Sequence, residues 1–403
     1  MKKFLSLTLL FLSGSILTAQ ESIKISAQIR PRIEIEDKDF NSSTRLSTQT
    51  LFRTRLGLSF APSGSVSGFI QLQDSRKFGE ESATIANMKN VDLHQAYFKL
   101  DQLFDLPFSL KAGRFEALYG SQRFFGNNNW NNIARSFDGG ILGYSSSKIT
   151  IDLFVFREYE RSLPGDSTDY NVYALITDLD VIESNKIQTY FIFQRAQPTT
   201  LLNRATVGIN IKGNIDRFNH EIDFAYQTGS FYSGGRDQSI SAYTFSVNAG
   251  YRSWSPLKPA VNLQLDLVSG DDSPGDNTFK SFTSLYGGRH KFFGYMDYFV
   301  SFPNDTYGLG LIDLIGKLSV SPIQNLTLNI HAHLFSSMHE YILNSGTGSN
   351  SFGSEVDVVA AYKYSDHVSF EGGASMFFPG DIFKEKRGKD NSSWFYIMAV
   401  VNF

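Results

Sequence analysis

The feature that most constrains this chain is a strict alternation of apolar and polar residues over unusually long segments. Between residues 22 and 36 the apolar positions are Ile23, Ile25, Ala27, Ile29, Ile33 and Ile35, and polar residues fill nearly all the positions between them. A period of two residues is the signature of a β-strand with one buried and one solvated face. The segment is more than twice the usual length of about 5–6 residues for a soluble strand.

The same alternation recurs along the whole chain and predicts eighteen strands. After the first twenty residues no apolar run approaches the length of a membrane-spanning helix, which is about 20 residues. The predicted strands cover roughly residues 22–36, 50–60, 65–74, 91–101, 107–116, 136–145, 148–158, 171–179, 186–196, 204–214, 217–229, 240–252, 259–270, 307–320, 325–336, 354–364, 367–378 and 393–403.

Short and long connections alternate between these strands. The short ones include residues 62–64, 145–147, 215–216, 321–324 and 365–366. The long ones are residues 75–90, 117–135, 159–170, 230–239, 271–306, 337–353 and 379–392. Short periplasmic turns and long external loops are typical of outer-membrane barrels. Residues 292–300 also resemble a strand, but a nineteenth strand would break the even count, so we assign them to a loop.

A closed barrel follows from the chemistry of the bilayer. In hydrocarbon every backbone N–H and C=O needs a partner within the protein, and only a closed sheet has no unpaired edge. Aromatic residues make up 14% of the chain although only 41% is hydrophobic, as alternating strands with aromatic girdles require. The alternative of a soluble sandwich or propeller lacks a blade-length repeat. We therefore predict an all-β, transmembrane antiparallel barrel of about 18 strands with a water-filled lumen.

The ends of the chain fit export to the outer membrane. Residues 1–19 have a basic start, an apolar stretch and a small residue at Ala19, which predicts a signal peptide; an uncleaved anchor is the alternative. Residues 20–403 then form one barrel domain. The last predicted strand ends at Phe403, and a terminal aromatic strand is what the barrel-assembly machinery recognises. With a net charge of −3 and no polybasic cluster, nucleic acid is not an expected partner.

Basic residues on the lumen side concentrate in the first strands. The predicted set is Arg30, Arg32, Arg53, Arg55 and Lys111, with Arg114 added if a bend at Gly113 turns it inward. Guanidinium groups bind carboxylates bidentately and stay charged, so such a wall can attract anions. Carboxylates predominate later in the chain. The alternative is that opposite charges simply pair across a wide lumen.

No residue pattern predicts catalysis, a cofactor or a metal. The chain has no cysteine and no nucleophile, zinc or nucleotide motif, so we do not expect an enzyme. Asp271, Asp272, Asp276 and Asn277 offer oxygen ligands for calcium, but Asp-Pro-Gly-rich loops are commonly turns. His331 and His333 share a lumen face without a third ligand in view, which favours a polar lining over a metal site.

Two blocks of sequence resemble the alginate export family. The first contains Gly113-Arg114, Tyr119-Gly120, Arg123, Trp130-Asn131-Asn132 and the run from Arg135 to Gly139; the second is VSGDDSPGD with GGRHKFFGYMD in residues 268–297. The resemblance implies an eighteen-stranded barrel in the outer membrane of a Gram-negative bacterium, with an electropositive passage for a polyuronate or other anionic saccharide. It also makes residues 117–135 an external loop. The many lumen acids depart from an electropositive passage.

The resulting expectation is a passive channel for anionic saccharides or small anions. Its partners would be that anionic solute, outer-membrane lipid and the assembly machinery. The six basic strand residues would line the attractive wall, with Arg123 and Arg135 near the external mouth. For Arg135 we favour a role in holding the loop together. The alternatives are a general, weakly selective porin and, less favoured, an outer-membrane enzyme or adhesin.

Overall fold

The computed structural model describes residues 23–81, 83, 90–160, 169–197, 201–233, 235–288 and 290–403. The predicted signal peptide, residues 1–19, lies outside the described residues. No helix in the described part of the chain is both long and apolar enough to cross a membrane.

Eighteen antiparallel strands form the wall, as the alternation predicts. They are β1 Ile23–Asp37, β2 Ser47–Ser63, β3 Val66–Lys77, β4 Val91–Asp101, β5 Phe108–Phe115, β6 Phe137–Ser145, β7 Ile149–Glu160, β8 Asp169–Ile182, β9 Asn185–Gln197, β10 Leu202–Ile215, β11 Phe218–Ser233, β12 Arg236–Arg252, β13 Ala260–Val268, β14 Leu311–Ile323, β15 Leu326–Ile342, β16 Gly348–Lys363, β17 Val368–Pro379 and β18 Ser392–Asn402. Each predicted strand is confirmed, and residues 292–300 are not a strand.

The wall is a closed ring. Strand β1 pairs with β2 on one side, where Arg30 lies opposite Arg53. On its other side β1 pairs with β18, where Ile29 lies opposite Val401. All other wall strands pair with their neighbours in sequence. Because the first and last strands close on each other, the ring leaves no edge of unpaired backbone groups, which is the condition for crossing hydrocarbon.

The two faces of the wall differ as the alternation predicts. Large apolar side chains such as Ile25, Leu263 and Ile397 are 73%, 65% and 59% exposed on the outside. Polar side chains such as Arg30 and Asp313 are buried inside. The outer surface is therefore suited to lipid, and the burial of apolar groups in lipid replaces the hydrophobic core of a soluble domain.

Connections alternate in length, with two corrections. Residues 230–239 and 337–353 are not long loops, because β11, β12, β15 and β16 extend through most of them and leave only residues 234–235 and 343–347. The longest connections are residues 116–136, here the first inner loop, and residues 269–310, the second inner loop. The side with short turns, which carries Ile23 and Phe403, is periplasmic in barrels of this kind.

The prediction of a water-filled interior is wrong for the external half. Both inner loops fold into the lumen, and so does the short helix α1, Asp381–Lys386. Phe125 of the first loop stacks on Tyr286 of the second with ring centroids 5.6 Å apart. Phe299 packs 4.6 Å from Phe335 of the wall. Inward-facing aromatic residues near the external ends of the strands thus join the loops in a continuous apolar core.

This division of faces can be tested on neighbouring strands. We expect Leu263→Lys, which places an ammonium on the lipid face, to lower the free energy of unfolding by about 2–4 kcal/mol. The matched change Asn248→Lys faces the lumen opposite Glu221 and should cost far less. Urea unfolding of the barrel in lipid vesicles measures both. Equal destabilisation by the two variants would contradict the assignment of faces.

Candidate functional site

Arginines of the first two strands hold the first inner loop in the lumen. The Arg30 guanidinium donates to the carbonyl oxygens of Asn129 at 2.6 Å and Asn131 at 3.0 Å. Arg53 donates to the same two oxygens at 3.2 and 3.3 Å. Arg32 donates to the carbonyl of Trp130 at 2.7 Å. These side chains are predicted wall residues, but much of their hydrogen-bonding capacity is taken up by the loop backbone.

Trp130 ties the two inner loops to each other and to the wall. Its ring stacks on His290 of the second loop, with centroids 4.1 Å apart and planes 4° from parallel. The Arg32 guanidinium lies 4.1 Å from the centroid of Trp130, within the range of a cation–π interaction. The edges of Trp394 and Tyr396 from β18 complete the contact. Sequence reasoning placed Trp130 in the loop but did not find this role.

Arg55 and Lys111 face inward without lining a large cavity. Arg55 donates to Gln73 at 2.7 Å and lies 3.3 Å from the Glu116 carboxylate. Glu116 also accepts from Asn127 of the first loop at 2.7 Å. Lys111 lies 4.0 Å from the ring centroid of Tyr97. Both cations are therefore partnered in the wall and at the base of the loop.

The prediction that Arg114 lines the lumen is wrong. Its neighbour Phe115 is buried in the internal aromatic core, so strand alternation puts Arg114 outside. There it lies 3.7 Å from Asp138, which is itself on the outer face at the external end of β6. Gly113 does adopt a positive φ of 126°, but this bend does not reverse the direction of the next side chain.

Arg123 and Arg135 of the first loop have different roles. Arg123 crosses the lumen to Asp266 at 2.8 Å and lies 3.5 Å from Asp223. Its guanidinium thus lies among inward-facing carboxylates of the wall. Arg135 donates to the carbonyl oxygens of Tyr286 and Gly287 in the second loop. It therefore joins the two loops, which is the role favoured from the sequence.

Two cavities remain beside the inner loops on the periplasmic side of the core. The first, of about 350 Å³, lies against β1 and β18 and is lined by Arg30, Arg53, Lys291 and Glu371 among others. The second, of about 440 Å³, lies against β10–β14. Four cations line it, Arg123, Lys212, Lys291 and Lys317, against two carboxylates, Glu221 and Asp223. Lys212, Glu221, Asn248 and Asn262 also line a periplasmic vestibule of about 680 Å³, which continues the second cavity.

Lys291 lines both cavities, and the sequence analysis missed it. It belongs to the second inner loop, and nothing in the local sequence shows that this loop folds inward. Burial lowers the pKa of Lys291 from its ordinary value, and the nearby Glu221 carboxylate opposes that change. Lys317 was also missed, although its alternation with the buried Asp313 and Ile315 on β14 would have placed it inside.

The structure adds a neighbour to each of the two groups considered as metal ligands, which are the acidic loop at residues 271–277 and the pair His331 and His333. Lys280 lies 2.5 Å from Asp272 and 3.4 Å from Asp276, so an ammonium group already pairs with two of the carboxylates considered for calcium. The hydrogen bond from Lys280 lowers the pKa of Asp272. Asp357, the cross-strand partner of His331, supplies the third ligand that seemed to be missing beside His331 and His333.

The fold and the lumen define the class of this protein, a porin-like barrel of the outer membrane. The structure is similar to Pseudomonas aeruginosa OccK5 (OpdH), with a TM-score of 0.62, 12% identity and coverage of 95% of this chain and 98% of that one. It is also similar to OccD3 (OpdP) of the same bacterium, with a TM-score of 0.61, 13% identity and coverage of 97% of each chain. For Acinetobacter baumannii OccAB4 the TM-score is 0.60 and the identity 10%, with coverage of 95% of this chain and 98% of that one.

The amino-acid sequence identifies the family to which the chain belongs. The sequence model of the family described as Alginate export matches residues 21–396. The chain therefore belongs to the alginate export family, and its barrel lies in the outer membrane of a Gram-negative bacterium. None of the curated proteins compared with the chain matches it.

The role of Trp130 gives a direct test of the inner-loop arrangement. We expect Trp130→Ala to weaken the attachment of the first loop by about 3 kcal/mol, as for loss of a Trp from a packed contact. The loop then leaves the lumen more often, so single-channel conductance in planar bilayers should rise and fluctuate. Phe104→Ala, in a periplasmic turn where the ring is 90% exposed, is the control and should conduct like wild type. Unchanged conductance of Trp130→Ala would show that the stack does not hold the loop.

Proposed function

We propose that this barrel is a passive outer-membrane channel for anionic saccharides or related small anions. The observation that carries the proposal is the excess of cations over carboxylates around both lumen cavities. Arg30, Arg53 and Lys291 face Glu371 alone in the first. The second has the four cations and two carboxylates described above. Clustered Arg and Lys side chains in a pore favour anions.

Among the described residues, Lys291 and Lys317 are not bound to carbonyl oxygens of the first inner loop, whereas Arg30 and Arg53 are. Lys317 donates to the Gln264 amide oxygen at 2.8 Å, which is a neutral partner. Within the described residues neither Lys317 nor Lys291 makes a salt bridge. Arg123, by contrast, is paired with Asp223 and Asp266. A permeating carboxylate would therefore interact with Lys291 and Lys317 more readily than with the arginines that the sequence singled out.

The periplasmic vestibule supports a saccharide rather than a small inorganic ion. Trp254 is 75% exposed there, and the Arg217 guanidinium lies 5.0 Å from its ring centroid. Arg252 and Lys258 line the same space. An exposed indole offers an apolar surface for the C–H face of a sugar ring, and the cations suit its carboxylate. The family name, Alginate export, agrees with a polyuronate as the solute.

A general, weakly selective porin is the second candidate. Glu221 and Asp223 lie in the same cavity as the lysines, and mixed charges reduce discrimination between anions and cations. The family and the similar structures are channels, which argues against an outer-membrane enzyme or adhesin. Block of the ionic current by uronate oligomers but not by neutral sugars separates the selective channel from the general porin.

Charge selectivity tests the proposal. We expect the reversal potential of the wild-type barrel in a salt gradient to show anion preference, because the ammonium groups of Lys291 and Lys317 attract anions. Lys291→Glu should reduce or reverse that preference, and Lys317→Gln should reduce it less because it removes one charge without adding an opposite one. Lys148→Glu, in the exposed turn between β6 and β7, makes the same charge change as Lys291→Glu away from either cavity and should leave the preference unchanged. Cation preference of the wild type would refute the anion channel.

A further inference from the structure

A cluster of nitrogen and oxygen ligands lies in the wall between β15 and β16, where Lys317 of β14 is the cross-strand neighbour of His331. His331 and His333 lie two residues apart on the inner face of β15, and Asp357 faces His331 from β16. One ligand atom of each lies within 4.8 Å of the other two. The Nε2 atom of His333 is 3.7 Å from a carboxylate oxygen of Asp357. Ligands about 2.0 Å from a tetrahedral zinc ion lie about 3.3 Å apart, so small side-chain movements suffice.

The facing atoms of His333 and Asp357 are buried without a geometric hydrogen-bond partner among the described residues. His333 and Asp357 are 2% and 1% exposed. Nevertheless, Nε2 of His333 and both carboxylate oxygens of Asp357 lack hydrogen-bond partners among the described residues. Leaving such groups buried and unpaired is costly, and a metal ion is one of the few partners that satisfies a nitrogen lone pair and a carboxylate together.

The surroundings of His333 prepare it to be a ligand. Its Nδ1 atom lies 2.9 Å from the carboxylate of Asp313 on the neighbouring strand β14. If Nδ1 carries the proton and donates it to Asp313, the lone pair of Nε2 points at Asp357. A carboxylate that orients the distal ring nitrogen is the usual support for a metal-bound histidine. The arrangement thus has both ligands and the group that orients one of them.

We propose that His331, His333 and Asp357 bind a divalent transition-metal ion of the zinc class. Two imidazoles and a carboxylate suit zinc and its neighbours better than calcium or magnesium, which prefer oxygen ligands. The ion also supplies positive charge beside the three buried carboxylates of Asp313, Glu355 and Asp357. Three protein ligands leave a fourth position for a water or solute oxygen. The site goes beyond the proposed channel function and does not depend on it.

The first lumen cavity gives the ion a route to the site. Asn329, two residues before His331 on the same face of β15, lines that cavity. Tyr295 lines it too, and its ring centroid lies 5.5 Å from that of His331. A competing explanation is a proton shared between the Glu355 and Asp357 carboxyl groups, which interact closely. A shared proton would relieve the burial of both charges without any metal.

Titration of the untagged, chelator-treated barrel with Co²⁺ separates these explanations. We expect the folded wild type to take up one Co²⁺ per chain with the visible absorption of a low-symmetry, nitrogen-ligated site, and Zn²⁺ to displace it. His331→Gln and Asp357→Asn each remove a ligand with little change in shape and should weaken binding by about tenfold or more. His220→Gln is the control, because this histidine of β11 bonds to Asn185 far from the cluster.

Each outcome decides the proposal. The shift in electrophoretic mobility that marks a folded barrel shows which variants have folded, and either ligand variant alone is sufficient. Stoichiometric uptake that falls in His331→Gln or Asp357→Asn but not in His220→Gln supports the site. A folded wild type that binds neither Co²⁺ nor Zn²⁺ overturns it and leaves the shared proton as the explanation. Uptake that both ligand variants retain would equally overturn it, since the ion would then be bound elsewhere.

Discussion

An unpaired backbone group in hydrocarbon costs several kcal/mol, and this constraint underlies every other feature of the molecule. It requires β1 to meet β18, as the pairing of Ile29 with Val401 shows. Closure then fixes which side chains point outward and which point inward. Because eighteen strands enclose more space than wall side chains can fill, the inner loops and α1 occupy the external half.

The need to pair backbone N–H and C=O groups applies again to the loops that fold into the lumen. The backbone of the first inner loop is irregular, so its carbonyl groups do not pair with the backbone of a neighbouring strand and need side-chain donors instead. Arg30 and Arg53 supply them for Asn129 and Asn131. Hydrogen bonds to charged groups contribute about 1.5–3 kcal/mol each, which is enough to hold a loop against its conformational entropy when several act together. The basic wall is thus first a structural element.

The sequence predicts well the features that depend on local periodicity, namely the strands and the direction of their side chains. Period two gives all eighteen strands and places Arg30 and Arg53 inside; it would also have placed Asp313 and Lys317 there. It fails where the structure depends on contacts between distant residues. The stacking of Trp130 on His290, 160 positions further along the chain, has no local signature. The end of β15 was placed too early and the start of β16 too late, because polar residues continue a hairpin beyond the membrane as readily as they form a loop.

The error over Arg114 and the omission of Asp357 show the limits of reading one strand at a time. The sequence placed Arg114 inside if a bend at Gly113 turned it inward, but Phe115 keeps its place in the core and Arg114 stays outside. Asp357 is 24 positions from His333 in sequence, so spacing rules for metal ligands do not connect them. Only the register between β15 and β16 brings them together. In a barrel, ligand sets are built across strands, and register is the information that a single sequence lacks.

Selectivity therefore depends on which lumen charges remain after the loops have folded, and not on the net charge of −3. Asp266 and Asp223 compensate the charge of Arg123, while the N–H donors of Arg30 and Arg53 are engaged with loop carbonyls. The same ion pairs compensate the charges of Asp223 and Asp266 on the opposite wall. Lys291 is left between the two cavities because the second inner loop carries it there. The element that fills the lumen thus also brings the cation that an anion would meet on its way through.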